Sequence, residues 1–282
     1  MLDRVRYADR SWWHHLNTEY ERWGEQLTAM AFEADGVPVR VTWDGHEIAP
    51  RIPEVLPPEF SPLPDDVAAE TFGLRADAPG VYTYTRDDSP VSSDLDLEFG
   101  LMMLQTQIRI FIGINAPDRI FVHAGAVALG GRALIFPGRS FSGKTSLVAE
   151  FLRAGATYLS DEFAVLDSDA MVHPYLTRLS VRGAGDDRRD VDATALGGTP
   201  ATAGLPLGAV VVTSYKPGAE WAPTKMTRGR ATLALLDNTV AALERHAEAL
   251  IVFRDATAGS LLLSSDRGEA EPVVADLMSR LS

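Results

Sequence analysis

The sequence predicts an α/β protein: a core of mixed sheet with helices, preceded by a smaller α+β region. Three observations carry this. Residues 124–166 alternate strand-like and helix-like runs around a glycine-rich loop. Ahead of them, six prolines between Pro50 and Pro64 interrupt regular structure. The chain has no cysteine, which excludes a disulfide framework, a thiolate metal site and a cysteine nucleophile, and leaves packing and hydrogen bonds to hold the fold.

In chain order, Trp12, Leu16, Tyr20, Trp23, Leu27 and Met30 recur at spacings of three and four, which predicts an amphipathic helix packed on its own domain. Residues 39–43 alternate apolar and polar and precede Asp44-Gly45, the pattern of a small hairpin. The proline-rich stretch 50–64 reads as an extended connector. Gly80 precedes a strand over 81–85. Ser93 is placed to cap a helix with apolar positions Leu97, Leu101, Leu104, Ile108 and Phe111. The expected division is an accessory region, 1–98, that selects an acceptor, and a core domain, 99–282, whose strands begin near Ile120.

Two apolar runs, 124–129 and 132–136, flank Gly130-Gly131, a pair suited to the positive φ values of a two-residue hairpin turn. Without a bulge, counting outward from Leu129 opposite Arg132 pairs His123 with Gly138. A helix is predicted over 146–153, ended by Gly155, and strand-like composition returns over 157–166. Further on, 209–213 reads as a buried strand, 232–243 as a helix, and Pro272 as the first residue of a terminal helix.

Gly138-Arg139-Ser140-Phe141-Ser142-Gly143-Lys144-Thr145 has glycines five residues apart followed by lysine and threonine. Glycines at 138 and 143 let the backbone curl so that N–H groups, including those at Ser140, Phe141, Ser142 and Ser146, face phosphate oxygens at a positive helix N-terminus. Lys144 would reach the β- and γ-phosphates of ATP, and Thr145 would offer its hydroxyl to Mg²⁺. The loop lies between a predicted strand and a predicted helix, the context such loops require. The chain has only two other lysines, Lys216 and Lys225.

The register puts His123 at the mouth of this loop. Asp161-Glu162 follows the next strand, where an acid can bind magnesium or take a proton from an attacking hydroxyl. Arg178 and Arg182, four positions apart, and Arg188-Arg189 are candidates to hold phosphoryl charge or an anionic substrate, with surface salt bridges as the competing reading.

Phe121-Val122-His123-Ala124-Gly125, the loop at 138–145 and Tyr158-Leu159-Ser160-Asp161-Glu162 together resemble the core of the HPr kinase/phosphorylase family, whose phosphate-loop fold is shared with phosphoenolpyruvate carboxykinase. The resemblance spans about 120–182. It implies a mixed-sheet P-loop fold and a kinase moving the γ-phosphoryl of ATP to a hydroxyl. It also implies Asp161 as general base, His123 and Lys144 beside it in the catalytic site, and Thr145, Glu162 and Asp161 around Mg²⁺. In that family an Asp-Asp pair stands where this chain has Asp161-Glu162, and the C-terminal segment that engages HPr is not recognisable here. Relatives that phosphorylate serines of ribosomally made peptides, such as lasso-peptide precursors, make a peptide or protein serine the expected acceptor. A small-metabolite hydroxyl, or a nucleotide-binding regulatory protein with little catalysis, are the alternatives. A homo-oligomer is left open.

The net charge of −13 repels nucleic acid and anionic membranes, so neither is an expected partner. The first residues lack an apolar export segment, and no later apolar run approaches ~20 residues. Together with the missing cysteines this makes a cytoplasmic location the expectation.

Overall fold

The computed structural model describes residues 5–6, 28–64, 66–139, 142–182 and 188–281, with the side chains of 5, 6, 182 and 188 excepted. Met1–Pro117 and Asp118–Ser282 form separate units.

In the first unit, β1 (Val5–Arg6), β2 (Thr28–Ala34), β3 (Val37–Trp43), β4 (Glu59–Leu63), β5 (Glu70–Ala78), β6 (Val81–Arg86) and β7 (Ser89–Leu95) make a sheet ordered β1-β4-β2-β3-β5-β6-β7. The hairpin is β2–β3, closed by Asp35-Gly36 at positive φ (48° and 78°). Asp44-Gly45 does not close one, because β3 next pairs in parallel with β5. The predicted helix through Trp12 to Leu27 lies outside the described residues, whereas Met30 belongs to strand β2. The proline-rich stretch is no bare connector: it holds a 3₁₀ turn (Ala49–Arg51), helix α1 (Ile52–Val55) and β4. Pro50 and Pro53 sit in first turns, where a missing N–H leaves no hydrogen bond unmade.

Helix α2 (Leu97–Asn115) packs on β5 and β6. Its cap is Asp96, whose side chain accepts from the Phe99 N–H at 2.8 Å, and Ser93 lies in β7 instead. The boundary therefore falls after Pro117 rather than after 98, since α2 buries Leu101, Leu104, Ile108 and Ile112 with the first unit. By length and composition α2 is the one helix among the described residues apolar enough to cross a bilayer, with mean hydropathy 1.2 over its most apolar window.

The second unit contains β8 (Ile120–Leu129), β9 (Arg132–Pro137), α3 (Lys144–Arg153), β10 (Thr157–Ser160), β11 (Phe163–Leu166), β12 (Met171–His173), β13 (Leu179–Arg182), β14 (Arg188–Val191), β15 (Thr199–Pro200), β16 (Leu205–Tyr215), β17 (Thr224–Lys225), α4 (Arg228–Leu236), α5 (His246–Ala256), β18 (Leu261–Arg267) and α6 (Glu271–Leu281). The main sheet runs β15-β10-β8-β11-β12-β16-β18-β17, and β9 bridges β8 and β16. It is mixed: β16 lies parallel between β9 and β18, whereas β8 is antiparallel to β9, β10 and β11.

Neighbouring residues on these strands face opposite ways. Phe136, Val211 and Leu263 pack with Leu147, Val148 and Phe151 of α3 and with Val273 and Leu277 of α6. Ile135, Val210 and Leu262 pack on the other face with Leu235 of α4 and Val252 and Phe253 of α5. Each of these large side chains contributes roughly 1.5–3 kcal/mol by leaving water. Two boundaries depart from expectation. The helix expected over 232–243 starts at Arg228 and ends at Leu236, and Pro272 is the second residue of α6.

Candidate functional site

The hairpin forms as counted. Gly130 and Gly131 both adopt positive φ (54° and 73°), Leu129 pairs with Arg132, and the register holds without a shift to Ala124 opposite Pro137. One step further, the Gly138 N–H donates to the His123 carbonyl at 3.3 Å, which puts His123 at the mouth of the loop. Ser140 and Phe141 lie outside the described residues.

Beyond the loop, α3 starts at Lys144. Its N-cap is Gly143 at φ 87°, with no side chain accepting from the helix amides and no acidic residue in the first turn. An ordinary helix start carries Ser, Thr, Asp or Asn to satisfy those N–H groups. Gly143 has no side chain to take that part, and the helix dipole at this end favours an anion. Ser142 and Ser146 flank this start; the Ser142 N–H donates back to the Arg139 carbonyl at 3.2 Å, against the expectation that it faces phosphate, and among the described residues the buried Ser142 Oγ has no hydrogen-bond partner, whereas Ser146 is exposed. The Lys144 ammonium is buried and donates to the carbonyls of Gly138 (2.8 Å) and Arg139 (2.9 Å), closing the loop over itself. Burial pulls its pKa down, and Asp161 opposes that.

Gly125 explains how close α3 comes to β8. A Cβ there would sit 2.7 Å from Val148 Cγ2 and 3.5 Å from Lys144 Cβ, so only glycine leaves the helix its present seat.

The strand-like stretch 157–166 is broken in two by Ser160, whose buried hydroxyl accepts from the N–H groups of Glu162 and Phe163, each at 3.0 Å. That bend projects Asp161 and Glu162 at the end of β10. Asp161 Oδ2 accepts the Thr145 hydroxyl at 2.8 Å, and among the described residues no donor meets its buried Oδ1 at full hydrogen-bond geometry. Burial pushes the Asp161 carboxyl up to about 7; the Thr145 hydroxyl, Lys144 and the Ser180 amide pull it back, and Glu162 adds to the rise. The Glu162 carbonyl accepts from the Ala124 N–H at 3.1 Å, tying the acidic pair to β8 beside His123. Burial, then Lys144, lower the His123 pKa while Glu162 raises it, so the ring is neutral at pH 7. The His123 main-chain N–H donates to the Asn238 carbonyl at 2.7 Å.

Lys144, Thr145, Asp161, Glu162 and His123 are thus brought together. Arg178 points elsewhere, into an exposed ion pair with Asp192 at 3.1 Å. Arg182 ends β13, opposite Arg188 of β14, and its side chain is outside the described set.

Two residues at the site carried no signal in the sequence. Arg267, only 1% exposed, donates from Nη2 to the Gly143 carbonyl at 2.6 Å and from Nη1 to the Gly268 carbonyl at 2.7 Å, and among the described residues its buried Nε has no partner. Its guanidinium lies 5.6 Å from the centre of the Tyr215 ring. Burial lowers the Arg267 pKa, against Glu269 and Tyr215. Any side chain at Gly143 would overlap this guanidinium, a second reason for glycine beside its positive φ.

Among the described residues no group of three or more His, Cys, Asp and Glu side chains could hold a metal unaided. The oxygens of Thr145, Asp161 and Glu162 are nevertheless hard donors of the kind Mg²⁺ takes when phosphates complete its shell. The chain matches no protein-family model and no curated protein.

Proposed function

We propose that the second unit is a phosphate-loop kinase of the HPr kinase type, which binds ATP at 138–145 and transfers its γ-phosphoryl group to a hydroxyl, with a serine of a peptide or protein as the acceptor. One observation carries the reading: Thr145 and Asp161 are in contact at 2.8 Å, in the first turn of a helix whose N-cap is a glycine with no side-chain cap. A carboxylate that ionises near neutrality, touching the loop residue nearest the terminal phosphate, is suited to accept a proton.

In this reading the loop amides and Lys144 hold the phosphates, and Lys144 exchanges the Gly138 and Arg139 carbonyls for phosphate oxygens. Thr145, Asp161 and Glu162 would hold Mg²⁺, which supplies charge neutralisation on the phosphates. The acceptor oxygen attacks the γ-phosphorus, the bond from that phosphorus to the β,γ-bridging oxygen breaks, and ADP leaves. Asp161 takes the hydroxyl proton. His123, neutral, offers a ring nitrogen to orient the acceptor or a γ-phosphate oxygen. Positioning and charge neutralisation provide most of the rate in such transfers.

The test uses γ-labelled ATP and mass spectrometry against a panel of serine-containing peptides and small alcohols. Label on a seryl oxygen with wild type, and none with Asp161→Asn although that variant still binds ATP, is the expected result. Wild-type transfer rates in the Asn variant would sink the mechanism. Label on a small alcohol alone would reassign the acceptor.

A further inference from the structure

The strand order gives the phosphate loop two unlike flanks. On one side are His123 of β8 and Asp161 after β10. On the other are the carboxyl ends of β16 and β18, where Tyr215 and Arg267 stand opposite each other in parallel register. If the γ-phosphate lies at Asp161, the phosphate chain crosses the start of α3 and leaves toward Tyr215. The nucleoside end must then emerge on that flank.

Tyr215 is unusual there. It is 44% exposed, and among the described residues of the second unit it is the one aromatic in the set of exposed large hydrophobic side chains. It is nonetheless held in place. Arg267 covers its ring, and a Cβ at Gly143 would be 3.3 Å from Tyr215 Cβ, so the ring adjoins the loop backbone itself. Among the described residues the buried Nε of that same guanidinium has no hydrogen-bond partner.

We propose that Tyr215, backed by Arg267, is the stacking platform for the base of the bound nucleoside triphosphate. The proposal rests on the phosphate-loop reading given above. An aromatic face with a fixed cation behind it takes a planar base without regard to its hydrogen-bonding edge, so this platform favours a base as a class rather than adenine over guanine.

The experiment compares calorimetric affinities of magnesium ATP and magnesium tripolyphosphate, which has the phosphates but no base, for wild type, Tyr215→Ala and Tyr215→Phe. Wild type is expected to bind ATP more tightly than tripolyphosphate. Tyr215→Ala should weaken ATP roughly tenfold to a hundredfold, the scale of base–aromatic stacking, while tripolyphosphate is unchanged. Tyr215→Phe, which keeps the ring, should bind both as wild type does. Equal weakening of both ligands in the Ala variant would make Tyr215 a support for the loop and overturn the proposal. So would equal affinity of wild type for the two ligands, with the phosphate-loop reading left standing. Failure of wild type to bind either one would overturn both.

Discussion

The Thr145 hydroxyl donates to Asp161 Oδ2 at 2.8 Å, joining the first turn of α3 to the end of β10 across sixteen residues of sequence. The contact makes the carboxyl of Asp161 part of the loop's own structure, and its ionisation becomes a property of the fold as well as of the chemistry.

That coupling predicts a pH dependence of stability. Asp161 ionises at about 7 in the fold, against an ordinary 3.8, so the folded state holds the proton more tightly than the unfolded chain. Stability should therefore fall as pH rises through this window, with the full deficit present above about 7. Asp161→Asn removes the deficit. In urea unfolding without nucleotide or metal, the variant should gain on wild type between pH 5 and pH 8, reaching a few kcal/mol. A difference that stays constant over that range would show that burial does not raise this carboxyl.

Lys144 spans the loop from inside, bonded to two carbonyls. Lys144→Ala should weaken ATP binding by roughly tenfold to a hundredfold, the scale of charged hydrogen bonds, and lower transfer as well. Equilibrium binding and single-turnover labelling separate the two effects. Unchanged affinity would mean that the ammonium stays on the loop carbonyls when ATP is present.

At Gly125 the prediction concerns fit. Gly125→Ala drives a methyl to within 2.7 Å of Val148 Cγ2, and such overpacking costs roughly 1–3 kcal/mol. Combining it with Val148→Ala makes room. The double variant should be more stable than the sum of the single losses allows, which a thermodynamic cycle from denaturation curves measures. Strict additivity would mean that the two residues do not meet.

Arg267 is a positioning residue for the loop. Arg267→Met should leave the Gly143 and Gly268 carbonyls without their partner and cost roughly 1–3 kcal/mol in unfolding experiments. It should also weaken both ligands, ATP by more than tripolyphosphate, since both depend on the loop's shape and only ATP uses the platform that Arg267 backs. Arg267→Lys keeps the charge but can no longer span both carbonyls, so it should rescue only part of the loss. Full rescue by lysine would assign the effect to charge rather than to the fork of donors.

Much of the site could be read in the sequence because its signals are local. The two-residue turn at Gly130-Gly131 restricts the pairing on either side, so counting alone carried His123 to Gly138. Glycine at 143 marks the left-handed N-cap that opens α3 without a side-chain cap. Asp161-Glu162 was legible as an acidic pair, but its bend depends on the Ser160 hydroxyl, whose pattern of accepting two amides has no signature in hydrophobic periodicity. The same limit explains the misplaced cap: Ser93 and Asp96 are both good capping residues, and only the pairing of β7 with β6 takes Ser93 into a strand.

By itself the sequence determined the α/β class, the hairpin register and the glycine-lysine-threonine start of α3, because each follows from backbone sterics over a few residues. Tertiary structure alone decided that Arg267 lies against Gly143, 124 residues before it, with Tyr215 at its side. That contact follows from β18 lying parallel beside β16, and β16 beside β9. Strand order is set by how apolar faces are buried over the whole sheet, a balance among many distant side chains that no short stretch of sequence records.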